Sequence, residues 1–220
     1  MTVRHPAKYS AALLPILASV LAGCTYVLDP MGGTGKLGQI KQHGWHGWVY
    51  VNELEPEWAA QAKANGADTV TIGDAGRLPY RDGVLDAVCV SPVYGNKMSE
   101  HCDWKPERVC HTYKSYLGRA LADGNAGRFY FWEREYADIH WRAWLEAWRV
   151  LKRGGLFVLN SKDFPHRGEI QRVTDWHVSV LERIGFDVVE RHQVICPGQR
   201  HGKNGHLRVD HEDVVVLRKR

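Results

Sequence analysis

The chain has 220 residues, 44% of them hydrophobic and 25% charged, with a formal net charge of +4. That much apolar material excludes a disordered chain, and the length suits one ordinary domain. Five cysteines scattered along it exclude the dense disulfide framework of a small secreted module and read as reduced thiols in a cytoplasm, while the mild basicity suits a polyanionic partner without specifying one.

After an opening segment from His5 to Ser10, the apolar run Ala11 to Leu21 predicts a helix. Pro15 interrupts it and it is too short to span a bilayer, so no membrane association is expected. Thr25 to Leu28 predicts a strand ending at Asp29-Pro30, and a glycine-rich turn, Gly32 to Gly38, leads into a short helix. A second strand, Trp48 to Asn52, ends at Glu53. A helix over Pro56 to Asn65 and a third strand, Thr69 to Ile72, bring the chain to Asp74. Leu85 to Val90 is a buried fourth strand that stops at Ser91-Pro92-Val93-Tyr94, because proline cannot donate to a ladder.

Gly95 to Arg128 shows no period and is long for a connection, which marks a functional loop. Glu135 to Leu151 is strongly helical, with Lys152-Arg153-Gly154-Gly155 as its basic last turn and stop, and the tryptophans from Trp132 to Trp148 fall at the spacing of a buried face. Leu156 to Asn160 is a fifth strand, followed by a loop through Pro165. A helix over Trp176 to Ile184 ends at Gly185, and Asp187 to Ile195 and Val214 to Leu217 are the last strands. The whole chain, 1–220, thus reads as a single α/β domain: a mainly parallel seven-stranded sheet covered by helices, with an antiparallel hairpin at one edge. Ligands in such sheets bind at the carboxyl ends of the strands, so Asp29, Glu53, Asp74 and Ser91 share one rim.

The turn Asp29-Pro30-Met31-Gly32-Gly33-Thr34-Gly35 lets a ligand approach the backbone closely. It contains Gly33-x-Gly35-x-x-Gly38, the dinucleotide fingerprint, so a nicotinamide-dependent dehydrogenase competes as a reading. Asp29 argues against it: a carboxylate beside the turn suits a cationic sulfonium amino acid better than a pyrophosphate. A phosphate-binding Walker loop fails at Pro30 and Leu37. Glu53 could accept both ribose hydroxyls of an adenosine and Asp74 its amino group, although each carboxylate alone fits an ordinary solvated surface. In the tetrad, Ser91 and the Pro92 carbonyl could accept the two hydrogens of an aromatic amine while Tyr94 stacks on the ring that bears it. The same four residues also fit a plain turn after a strand.

These segments resemble the Rossmann-like DNA amino-methyltransferases that modify adenine or cytosine. The resemblance is carried by His5 to Ser10, Val27 to Gly35, Asn52 to Pro56, Asp74, Ser91 to Tyr94 and Arg149 to Gly155, and covers nearly the whole chain. It implies a class I methyltransferase fold and S-adenosyl-L-methionine as cofactor, held by Lys8, Tyr9, Ser10, Asp29, Pro30, Met31, Gly33, Thr34, Gly35, Glu53, Leu54, Asp74 and Ala75. The catalytic groups would be Ser91, Pro92 and Tyr94, acting on a base flipped from duplex DNA or taken from a single strand. Ser at the first tetrad position implies cytosine N4 in preference to adenine N6. Two residues depart from the family pattern: Met31 stands where an aromatic residue is common and Val93 replaces a second proline.

With no separate recognition domain in view, target choice falls to residues 95–128 and the loop near Arg200, where Lys97, Lys105, Arg108, Arg200, Lys203 and Arg208 could clamp phosphates. His101-Cys102 and Cys110-His111 could in principle ligate zinc, but the spacing is not a recognised one and no metal is expected. An RNA-base methyltransferase would share every motif, and a nonenzymatic nucleic-acid binder would keep the surface without the chemistry.

Overall fold

The computed structural model describes residues 3–5, 10–96, 112–196 and 205–220. Helix α1 (Leu13–Val20) precedes β1 (Tyr26–Asp29), a 3-10 helix (Lys36–His43), β2 (Trp48–Glu53), α2 (Pro56–Ala62) with a 3-10 turn (Lys63–Asn65), β3 (Thr69–Ile72) and β4 (Leu85–Val90). There follow α3 (Tyr113–Leu117), α4 (Arg134–Val150), β5 (Leu151–Ser161), a small hairpin of β6 (Phe164–His166) and β7 (Glu169–Gln171), α5 (Val173–Ile184), β8 (Phe186–Ile195) and β9 (His211–Lys219).

Seven strands form one sheet in the order β3-β2-β1-β4-β5-β9-β8. The first five are parallel, and β9 runs antiparallel to both β5 and β8. This is the expected architecture, a mainly parallel sheet with an antiparallel closing pair. Because β2 and β3 are added on one side of β1 and β4 and β5 on the other, the strand order switches between β1 and β4. Connections leave in opposite directions there, and a crevice opens outside the carboxyl ends of the two strands.

Strand side chains alternate between two cores. Val27, Ala87, Cys89, Val158, Val214 and Val216 pack on one face with Leu13 and Leu17 of α1 and Leu37 and Ile40 of the 3-10 helix. Their neighbours Leu28, Val88, Val90, Phe157, Leu159, Val215 and Leu217 pack on the other face with Trp144, Ala147 and Val150 of α4 and Leu181 of α5. Burial on both faces is why these strands read as continuous apolar runs.

The glycine turn is shaped by close packing. Gly35 has φ 74°, and a Cβ there would lie 2.6 Å from both Cα and Cβ of Ala62 at the end of α2. Gly35→Ala combines the left-handed penalty, about 1–2 kcal/mol, with an overpacking term of about 1–3 kcal/mol. Urea denaturation is expected to show a loss of about 2–4 kcal/mol; an unchanged midpoint would show that the turn relaxes freely.

The short helix expected after the glycine turn forms as a 3-10 helix, Lys36–His43, whose tighter winding is used in short connectors. Three expectations are corrected. Lys152 to Gly155 does not terminate α4: the helix stops at Val150, and these residues open β5, held by Lys152 Nζ on Asp86 Oδ1 at 2.6 Å. The loop through Pro165 is a hairpin, built on Arg167 (φ 49°) and Gly168 (φ 86°), two left-handed residues that match a tight strand reversal. Of the tryptophans expected in the core, Trp144 is fully buried, whereas Trp132 and Trp148 are 47% and 36% exposed. Trp132 instead stacks on Tyr130 with centroids 4.5 Å apart, and Trp148 carries the Lys219 ammonium over its ring at 3.9 Å.

Three cysteines, Cys24, Cys89 and Cys196, are free and buried among the described residues. No helix among them is long and apolar enough to cross a membrane.

Candidate active site

A cavity of about 370 Å³ opens at the rim where the strand order switches, within the size range of small-molecule sites. On the β1–β2–β3 side its wall is made by Pro30, Met31, Gly32, Gly33, Thr34, Glu53, Leu54, Asp74 and Ala75. On the β4–β5–β9 side it is made by Ser91, Pro92, Val93, Tyr94, Asn96 and Glu212, with His5, Trp58, Tyr113, Asn125 and Ile139 among the rest. The carboxyl ends of the strands thus bring most of the sequence-derived residues that the structure describes into one space.

Glu53 ends β2 with its side chain buried. Oε2 accepts from the Gly33 N–H at 2.7 Å and Oε1 from the Glu55 N–H at 2.8 Å. Burial pushes its carboxyl from the ordinary 4.5 up to about 7, although the backbone N–H groups pull the other way. The carboxylate therefore sets the glycine turn and faces the cavity at once. Asp74 is a contrasting acid: half-exposed, it accepts from the Gly76 N–H at 2.8 Å and meets Arg142 at 3.3 Å.

At the far side, Ser91 Oγ accepts from Asn160 Nδ2 at 3.1 Å and lies 3.4 Å from Tyr94 Oη, a long contact. Tyr94 Oη donates to Glu212 Oε2 at 3.2 Å, and Asn160 Nδ2 reaches the same oxygen at 2.9 Å. Burial, then the neighbouring Glu212 charge, raises the Tyr94 phenol, keeping it protonated at every ordinary pH.

Behind the tetrad runs an ordered chain of hydrogen bonds. Trp144 Nε1–H meets His177 Nδ1 at 3.2 Å, His177 Nε2 meets Tyr136 Oη at 3.0 Å, and Tyr136 Oη donates to the Val93 carbonyl at 2.7 Å. Indole nitrogen only donates, so His177 is the neutral tautomer with its proton on Nε2. Val93 lacks the ring of a second proline, and this chain supplies another restraint on the turn.

The same cluster predicts acid lability. Burial lowers His140 to about 4 and His177 well below its ordinary value. As pH falls below about 6.5 the unfolded chain takes up two protons that the folded chain refuses, so stability drops towards pH 4. Glu53 works oppositely between about 4.5 and 7, where the folded state holds the extra proton, leaving a net of about one proton. The denaturation midpoint is expected to fall on acidification through this window, and to fall less in His140→Gln; a flat profile would contradict the buried neutral imidazoles.

The remaining sequence-derived residues lie elsewhere. Asp29 is 1% exposed and outside the cavity wall, its Oδ1 accepting from the Met31 N–H at 3.2 Å and so shaping the turn. Ser10 and Gly35 are also outside the wall. Arg208 is exposed at the surface. Lys8, Tyr9, Lys97, Lys105, Arg108, Arg200 and Lys203 lie outside the described residues, as do His101, Cys102, Cys110 and His111; no group that could hold a metal occurs among the described residues.

Sequence reasoning missed Glu55, Asn160, Tyr113 and Glu212. Buried Glu55 accepts from the Ala122 N–H and Asn125 Nδ2, both at 2.8 Å, and pairs with Arg119 at 2.7 Å. It thereby ties residues 119–125 of the long connection to α2, and Tyr113 of α3 packs edge-on to Trp58. Glu212 had one available signal: extending the apolar alternation of β9 back from Val214 puts it in the row of Val214 and Val216, at the rim.

No protein-family model matches the chain, and no curated protein matches it in sequence. Solved structures do match in fold. The [4+2]-cyclase SpnF superposes with a TM-score of 0.58 at 16% identity, covering 98% of this chain and 85% of that one. A TehB-like SAM-dependent methyltransferase from Corynebacterium glutamicum gives 0.55 at 15%, covering 96% and 89%. An S-adenosylmethionine dependent methyltransferase from Mesorhizobium loti gives 0.55 at 16%, covering 96% and 99%. The chain therefore has the Rossmann-like fold that these proteins share, a fold that one neighbour named as a cyclase also has, so chemistry must be argued from the site.

Proposed function

We propose that the protein transfers a methyl group from S-adenosyl-L-methionine to the exocyclic amino group of a base in DNA, cytosine N4 before adenine N6. The observation that carries this reading is the single cavity that joins the glycine turn and the buried Glu53 carboxylate to the Ser91–Tyr94 tetrad.

The residues present fit the cofactor. The cavity wall sets the side-chain-free backbone of Gly32 and Gly33 beside the buried Glu53 acceptor, a donor and acceptor set that suits a charged amino acid joined to a ribose. Gly33 and Thr34 would border its amino-acid part, Glu53 would accept from the ribose hydroxyls, and Asp74 with Ala75 would flank the adenine. When bound, the cofactor supplies a methyl group already activated as a sulfonium. The chain's own work is then positional. Ser91 and the Pro92 carbonyl hold the amine, Tyr94 stacks on its base, and the apolar wall around Ile139 and Trp58 keeps water from the reacting atoms.

Incubating the protein with labelled cofactor and either duplex DNA, single-stranded DNA or RNA, followed by mass spectrometry of the nucleosides, tests the proposal. N4-methylcytosine or N6-methyladenine in DNA is the expected product. Label confined to RNA would move the substrate to RNA, and cofactor binding without any transfer would leave only a binding protein.

A further inference from the structure

We infer that Glu212 is the group that selects the amine and receives the proton it loses, a role that rests on the methyl-transfer reading above. Among the described residues three carboxylates face the cavity, and their partners separate them. Glu53 is engaged by the glycine turn and Asp74 by Arg142. Glu212 alone of the three touches side chains of the tetrad network: Tyr94 Oη and Asn160 Nδ2 both donate to its Oε2. Its Oε1 accepts no hydrogen bond from a described residue, and among those residues Glu212 forms no ion pair.

Topology explains the placement. Strand β9 is antiparallel, so its first residues, not its last, reach the rim, and Asp213 pairs with Ser161 at the end of β5. Glu212 and Asn160 thus stand on adjacent strands beside Ser91.

The network also has a direction. An ionised carboxylate only accepts, so it draws the phenol proton of Tyr94 toward itself and one amide hydrogen of Asn160. The other amide hydrogen goes to Ser91 Oγ at 3.1 Å. With Ser91 Oγ and the Pro92 carbonyl, Oε1 adds a charged acceptor, so the site offers acceptors to an N–H pair and repels a carbonyl oxygen at the same position. An amino base fits it and its oxo counterpart does not.

The chemistry balances. The amine nitrogen's electron pair forms the new N–C bond while the S–C bond of the sulfonium breaks, its electrons leaving on sulfur as a thioether. The methylated nitrogen, now cationic, releases one hydrogen as a proton to the Glu212 carboxylate, which passes it to solvent in product release.

The test is binding of matched single-stranded oligonucleotides, cytosine against uracil and adenine against hypoxanthine, with S-adenosylhomocysteine present, alongside methyl transfer. The wild-type protein is expected to prefer the amino base of one pair by roughly tenfold, the worth of a hydrogen bond to a charged group. Glu212→Gln, which offers a donor as well as an acceptor, should reduce that preference to within about twofold and slow transfer on the order of 100-fold, as loss of a proton acceptor does. Cofactor affinity should be unchanged, and Glu212→Asp should restore part of both. No amino preference in the wild type overturns the inference whatever the turnover. A preference that survives in both Glu212→Gln and Glu212→Ala removes Glu212 from the role. If the preference is present and lost on substitution, yet no methyl group is transferred to any nucleic acid, the recognition role stands and the transfer reading fails.

Discussion

Glu53→Gln is expected to bind S-adenosylmethionine on the order of 10- to 100-fold more weakly than the wild type, because a hydrogen bond to a charged acceptor contributes about 1.5–3 kcal/mol. The pH dependence identifies the cause. In the cofactor-free protein, burial holds the Glu53 carboxyl up to about 7, so near neutrality a substantial fraction is protonated. On the proposed function, ribose hydroxyls would donate to the ionised form and favour it. Affinity should therefore tighten as pH rises through about 7 and level off above, whereas Glu53→Gln should show no such rise. Calorimetric titration of both proteins from mildly acid to mildly alkaline pH checks this, and a wild-type affinity that ignores pH would remove Glu53 from the ribose site. The same group acts on stability with the opposite sign. Folding raises its value, so the stability it contributes is present at low pH and lost as pH rises through about 7; cofactor binding offsets the burial of that charge.

Tyr94→Ala should abolish transfer, by a factor on the order of 100 or more, while leaving cofactor affinity within about twofold. On the proposed function the ring would do two jobs at once. It would offer a face for the base, a contact that contributes about 1–3 kcal/mol in stacking sites, while its hydroxyl holds Glu212 at 3.2 Å. Tyr94→Phe separates them: it keeps the face, frees Glu212 Oε2 of one donor, and should fall between wild type and Tyr94→Ala. Single-turnover rates with saturating cofactor distinguish the three proteins. Equal loss in the rate and in cofactor affinity would show that Tyr94 supports the cavity as a whole and not the substrate.

Asp29 sits beside the cavity without lining it. Its carboxylate is turned back onto the Met31 N–H and lies outside the wall. Asp29→Ala removes the acceptor of the Met31 N–H and with it one restraint on the turn.

What the sequence determined by itself was everything set by local rules. Short apolar runs bounded by turn residues marked β1, β2, β4 and β9. Proline after Val90 ended β4, and the regular spacing of Asp29, Glu53, Asp74 and Ser91 at strand ends placed the rim. These depend on neighbours a few residues apart, so one chain of letters carries them. The tertiary structure decided what depends on pairing across long separations. Glu212 reaches Tyr94 from 118 residues away, which follows only once β9 is known to run antiparallel beside β5. His177 reaches Trp144 from α5 to α4, and Glu55 reaches Asn125 across the long connection. Burial changed chemistry in the same nonlocal way: Glu53 is pushed up because other segments exclude water from it, and no reading of its own neighbours shows that exclusion.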